Sequence, residues 1–226
     1  MRMTRRLILP WAFTLCALWV QGQTSSSVHS PKHAQTSSVS GIDVGILANG
    51  VYRNKTLGFA CKVPAGWVLR TEEMNARTDD AGAAEAAPGE TKPASSDGAI
   101  VLLAAFSRPP EARGEDVNSS ILIAAESAAS YPGLKDASQY FEPLTEVAKA
   151  QGFTADEDPY EYAVGTKTLI RGDFHKDVGT RVMRQSTLAM LSHGYAVSIT
   201  VIGGTEDEVE ELIDGMSFEA GSGAKK

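Results

Sequence analysis

Two stretches of this 226-residue chain carry no apolar period, and they set the limits on what can fold. Residues 23–48 begin with a run rich in Ser, Thr, Gln and His, in which Val28 and Val39 are the sizeable apolar groups up to Ser40. Such a run cannot bury enough surface to offset the entropy of ordering, so 23–48 reads as a disordered linker. Residues 75–97, built largely from Ala, Gly, Glu, Pro, Thr and Ser, separate two strand-like regions and read as a disordered insertion. With 220–226 as a flexible tail, a single domain over 49–219 remains.

Residues 1–22 read as a signal peptide. Arg2, Arg5 and Arg6 supply a positive start, and Leu7 to Val20 is an apolar run shorter than the ~20 residues a spanning helix needs. Val20-Gln21-Gly22 then places small or apolar side chains three residues and one residue before a cut after Gly22. The rival is a retained anchor. Lipidation at Cys16 is disfavoured, because Leu15 is too large for the position before a lipidated cysteine. The expected location is periplasmic or secreted, with no membrane insertion after cleavage.

The full chain carries a net charge of −7, and the leader removes three arginines and no acidic residue. A nucleic-acid partner is therefore not expected, since phosphate contacts need a basic face. Anionic membrane surfaces should repel the mature chain. Of the two cysteines only Cys61 survives cleavage, so no intramolecular disulfide can form and the fold rests on its packed core. A monomer is expected.

Leu57, Phe59, Cys61 and Val63 alternate along one extended segment, with 50–53 as its partner strand and 54–56 as the turn. Residues 99–106 are apolar on both faces, which predicts a strand covered on both sides, and 121–125 predict another. Asp136 and Gln139 open a predicted helix with Tyr140, Leu144, Val147 and Ala148 on one face, closed by Gly152. Pro143 falls inside it, so either that helix kinks or its regular part starts near Glu142. Strands are predicted at 166–174, 180–191 and 195–202. Thr205 and Glu208 form a capping box for a last helix, with Val209, Leu212, Ile213 and Met216 as its stripe. This order describes an α+β domain with a mostly antiparallel sheet.

Tyr52-Arg53-Asn54, Leu57-Gly58-Phe59 and Val63-Pro64-Ala65-Gly66-Trp67 together resemble the opening hairpin of PsbP-like and DcrB-type proteins. Tyr195 to Ile202, Gly203-Gly204-Thr205-Glu206 and a helix ending at Ser217-Phe218 are similar to the close of the same fold. The resemblance implies an α-β-α sandwich with helices packed on both faces of the sheet. It also implies a non-enzymatic accessory or binding module whose partners vary, with Tyr52, Phe59, Pro64 and Trp67 as structural core residues. The photosystem role of some members does not carry over, because they use an N-terminal segment that here is a Ser/Thr tether.

No Gly-x-Ser-x-Gly, His-Glu-x-x-His, phosphate-cradling glycine loop or Cys-x-x-Cys occurs. His29 and His33 stand four apart, but in a segment where no helix is expected. Ser192-His193 sits between two predicted strands and reads as a turn, because adjacent residues rarely aim at one atom. Asp173, His175 and Asp177 alternate as metal ligands could, yet calcium would need 6–8 oxygens and zinc further shell partners. They read as a polar hairpin tip. Cys61 is expected to be buried and inert. Catalytic, cofactor and metal residues are therefore all expected to be none. The expected function is an exported, non-enzymatic binding or accessory module for a protein partner or small ligand; the alternative is a periplasmic hydrolase with a site not recognisable from sequence.

Overall fold

A computed structural model describes residues 42–76, 99–112, 114 and 116–219. The expected signal peptide at 1–22, residues 23–41 of the expected linker, most of the expected insertion at 75–97 and the expected tail at 220–226 lie outside these residues. Residues 42–48, expected to belong to the disordered linker, instead include a strand at Ile46–Ala48 and the buried Ile42. Among the described residues there are twelve strands, and every pairing between them is antiparallel.

Strands β1 (Ile46–Ala48), β2 (Val51–Asn54) and β3 (Phe59–Lys62) form a meander that β12 (Met216–Phe218) completes, in the order β1-β2-β3-β12. The larger sheet runs β4 (Val68–Leu69), β5 (Ile100–Phe106), β6 (Ser120–Ser127), β11 (Tyr195–Gly203), β10 (Arg181–Ser192), β9 (Lys167–Val178), β7 (Thr154–Ala155). Strand β8 (Tyr160–Val164) also pairs with β9. Helix α1 spans Phe141–Ala150 and α2 spans Glu206–Asp214, and residues 71–76 are helical.

Tyr52, Phe59 and Cys61 from the small sheet share one hydrophobic cluster with Leu103, Ile123, Leu188 and Ile199 from the large one. Val209, Leu212 and Ile213 of α2 join it. The opposite face of the large sheet packs Phe174, Ala189 and Ala196 against Phe141 and Ala148 of α1. The expected sandwich, with helices packed on both faces of one sheet, is therefore wrong. The fold is β-rich, and the layer over the main core is a second sheet with one nine-residue helix beside it. The cause lies at the C-terminus. Met216 was expected to extend the stripe of α2, but Gly215 closes the helix and Met216 pairs with Cys61. That pairing turns the opening hairpin into part of a sheet.

Local chemistry explains most boundaries. Pro143 is the third residue of α1, where a backbone N–H has no intrahelical acceptor to lose, so the helix accommodates it in its first turn and starts at Phe141. Asp136 caps the preceding turn, accepting from the backbone N–H groups of Ser138 and Gln139, while Gln139 accepts from Lys135 rather than closing a box. At α2, Thr205 Oγ1 accepts from Glu208 N at 3.1 Å, and Glu208 in return accepts from Gly204 N at 2.8 Å. The β9–β10 turn falls at Gly179, φ +64°, because β9 runs to Val178, four residues past its predicted end.

The Tyr-x-Asn pattern of β2 latches the chain just before β1. Tyr52 donates its hydroxyl to Val44 O at 2.9 Å, and its ring lies so close to Gly45 that a Cβ there would stand 2.6 Å away. Asn54, 1% exposed, donates to Asp43 O and accepts from Leu57 N, so one amide ties the latch to the β2–β3 turn. Phe59 is buried and its ring packs at a tilt against Phe218 of β12, 5.0 Å between centroids. Pro64 is exposed and acts as a turn residue: its carbonyl accepts from Trp67 N, with Gly66 at φ +84°. Trp67 comes out half-buried at the rim of the main cluster.

Candidate functional site

Alternation along β9 puts Leu169, Arg171 and Asp173 on one face, toward the main core. Cross-strand pairing brings Ser186 of β10 opposite Asp173 and Tyr160 of β8 opposite Arg171. Glu210, on α2, reaches the same spot. Arg171 is 6% exposed, so its charge must be met locally. It donates through Nε to Asp173 at 3.0 and 3.1 Å, through Nη2 to Ser186 Oγ at 3.0 Å, and through Nη1 to Glu210 at 3.2 Å. The Nη2 group also pairs with Glu210. Its guanidinium lies 4.8 Å from the centre of the Tyr162 ring.

Asp173 accepts from Ser186 and, at 2.7 Å, from the Tyr160 hydroxyl. Burial alone would lower the pKa of Arg171, but the Glu210 hydrogen bond and the neighbouring Asp173 charge hold it above its ordinary value. Burial raises the pKa of Tyr160, and the bond to the Asp173 carboxylate adds to the effect. The arrangement locks β8, β9, β10 and α2 together. Its donors and acceptors are directed at one another.

A second carboxylate is held on the other face. Glu126, at the end of β6, accepts from the hydroxyls of Tyr131 and Tyr140, whose rings meet edge-on at 5.2 Å. Burial, followed by the Glu126 charge and hydrogen bond, drives the Tyr140 hydroxyl to a raised pKa. This clamp fixes the approach to α1.

The sequence-derived candidates are dispersed. Asp173 belongs to the arginine cluster, His175 pairs with Asp156, and Asp177 is exposed opposite Val182 in the β9–β10 register. Asp173 and His175 lie within a paired strand and not at a hairpin tip. Among the described residues no three His, Cys, Asp or Glu side chains gather to hold a metal. Ser192 Oγ and His193 Nδ1 do meet, at 2.9 Å, in an exposed turn with His193 at φ 52°. Cys61 is fully buried, and burial pushes its thiol up from 9.0 to about 12. Arg171, Glu210, Tyr160 and Glu126 escaped sequence reasoning. The available signal was a charged residue inside the apolar run Leu169-Ile170-Arg171, which implies a buried partner.

The longest hairpin reaches beyond its neighbours. β11 accompanies β10 only from Arg184 onward, and β7 accompanies β9 only to His175, so 176–183 has no strand beside it but its own. Val178 and Val182 are exposed there, one on each face. Between its base and the start of α2 lies an open depression of about 430 Å³, lined by Val182, Arg184, Gly204, Thr205, Glu206 and Asp207. Among the described residues, no helix is long and apolar enough to cross a membrane.

No family model matches this chain, and no curated protein does. Solved structures with a similar course of chain include PsbP (CyanoP) from the cyanobacterium Synechocystis, at 14% identity and TM-score 0.41, covering 75% of this chain and 91% of that one. The Ran-binding protein Mog1p of Saccharomyces cerevisiae matches at 12% identity and TM-score 0.38, over 71% of this chain and 90% of Mog1p. LpqN, involved in cell envelope biogenesis of Mycobacterium tuberculosis, matches at 12% and 0.35, over 72% and 83%. Identities and scores this low transfer neither a partner nor an activity.

Proposed function

We propose that this chain is an exported, non-catalytic binding or accessory module that works through its surface. The observation that carries the reading is the β9–β10 hairpin. Its tip, 176–183, extends past both neighbouring strands and exposes Val178 and Val182 beside Arg181 and Arg184. A tip with apolar groups on both faces suits insertion between the surfaces of a protein partner. The two arginines there are only loosely engaged, Arg184 with Glu206 at 3.4 Å and Arg181 with Asp116 at 3.7 Å, whereas Lys176 donates to Gln151 O at 2.6 Å. The polar groups inside the fold serve each other instead: Arg171 with Asp173 and Glu210, Glu126 with its two tyrosines. Export rests on the charged, apolar and small-residue order of 1–22.

The test is photo-crosslinking from positions 178 and 182 of the mature protein in its own periplasm. A discrete protein adduct, lost when Val178→Asp and Val182→Asp are combined, supports the reading. Turnover of ester, peptide or glycoside substrates that persists through repurification would overturn it in favour of a hydrolase.

A further inference from the structure

Among the described residues, the outer edge of β5 is closed by β4 at its C-terminal end and by side chains at its N-terminal end. Val68 and Leu69 pair with Phe106 and Ala105, and Arg70 N donates to Ala104 O at 2.9 Å. The backbone then turns away into the helical residues 71–76, where Met74 N donates to Arg70 O at 3.0 Å. Two side chains continue the line that the backbone leaves. Thr71 Oγ1 accepts from Ala104 N at 2.9 Å. Asn75 Oδ1 accepts from Val101 N at 2.9 Å, and its Nδ2 donates to Val101 O at 3.0 Å. One carboxamide thereby offers Val101 the donor and acceptor that a peptide group on an added strand would offer.

We infer that Thr71 and Asn75 guard a strand-addition site on β5, and that the occupant they exclude is β5 of a second copy of this chain. The strand itself supports that occupant. Ile100 to Phe106 is seven residues without charge or proline, the composition of a segment that pairs with its own kind when its edge is open. Over Val101–Ala104, the stretch that Asn75 and Thr71 cover, an antiparallel pair of two such strands sets apolar side chains opposite apolar side chains. Edge strands in soluble proteins are blunted by charge, bulges or covering segments. Here the register shifts between Val101 and Leu103, and two polar side chains from a helical turn do the rest. The inference does not depend on the proposed function.

The experiment uses the whole mature protein and a Thr71→Val/Asn75→Leu variant, which keeps side-chain bulk and removes the three hydrogen bonds. Mass is followed by light scattering across a wide concentration range, and amide exchange is read at Val101 and Ala104. The wild type should stay monomeric with both amides protected. In the dilute variant these amides should exchange roughly tenfold faster, and on concentration the mass should double while protection returns. A variant that stays monomeric at every concentration overturns the inference. So does a doubled mass without renewed protection at Val101 and Ala104, since association then uses another surface. Should the double variant lose its circular dichroism, Asn75→Leu alone, which removes both hydrogen bonds to Val101 and adds no charge, is put to the same two readouts.

Discussion

Phe141 lies directly against Gly172: a Cβ added at 172 would stand 2.5 Å from Cε1 of the Phe141 ring. The first residue of α1 can settle onto β9 only because that strand position has no side chain. Gly172 does not adopt a positive φ, so space and not backbone strain is what it supplies. Gly172→Ala should destabilise the protein by ~1–3 kcal/mol, the usual cost of overpacking. Urea unfolding measures it. Adding Phe141→Leu should recover part of the loss, and a simple sum of the two costs would show that the contact is not the cause.

Removing the buried cation should be costly. Arg171→Ala leaves Asp173, 19% exposed, facing Ser186 and Tyr160 with no positive charge, for a loss of ~3–5 kcal/mol. Arg171→Met should do less harm, because it refills the volume beside Tyr162. Glu210→Gln should cost less than Arg171→Ala, since the Glu210 side chain is 44% exposed and water screens it. Chemical denaturation of the three variants gives the order, and equal costs would contradict the central role of Arg171.

Alkaline pH should unfold the chain progressively. Burial raises the Cys61 thiol from 9.0 to about 12 and the Tyr52 hydroxyl from 10.0 to about 12. Both groups bind their proton more tightly when folded, so their contribution is complete below pH 9 and is lost as pH rises toward 12. At ~1.4 kcal/mol per unit, the thiol alone accounts for ~4 kcal/mol across that window. Melting temperatures should fall across that window, and Cys61→Ala should flatten the slope. An unchanged slope in that variant would refute the assignment. Below pH 9 the native thiol should resist alkylation until the protein is unfolded.

Loss of the Asn54 amide should open the N-terminal latch. Asn54→Ala leaves Leu57 N and Asp43 O without their partner in a buried setting, at ~1–3 kcal/mol. Proteolysis should then cut the chain ahead of β1 faster than in the wild type. Equal digestion rates would show that Tyr52 alone holds the segment.

Trp67, the one tryptophan outside the expected leader at 1–22, is half-buried against the main cluster. Its emission should be intermediate between buried and exposed indole, and Trp67→Ala should cost less than the ~3–5 kcal/mol of a fully enclosed aromatic. A fully exposed spectrum would place the ring on a free surface instead.

Period and turn chemistry were readable wherever an element faces one core. The alternation of Leu57, Phe59, Cys61 and Val63 and of Tyr195, Val197, Ile199 and Val201 located β3 and β11, and Thr205 with Glu208 located the start of α2. The short strands β1, β4 and β7 carried too few residues to show a period, and β8, where Tyr160, Tyr162 and Val164 alternate, was overlooked. Asp173, which the Asp-x-His-x-Asp spacing suggested for a turn, sits in a strand because the β9–β10 ladder continues to Val178.

By itself, the sequence determined which segments could bury a face, which glycines and prolines would end them, and which single cysteine would be enclosed, because those follow from local period and backbone freedom. Tertiary structure decided what each face would meet. Met216 could extend a helix or pair with Cys61, and only the return of the C-terminus to β3 made it a strand and the fold a pair of sheets. Arg171 likewise gains its partners from β8, β10 and α2, residues distant along the chain that no local pattern links. Pairing between distant strands is a property of the assembled sheet, and its energy arises only when the ends of the chain meet.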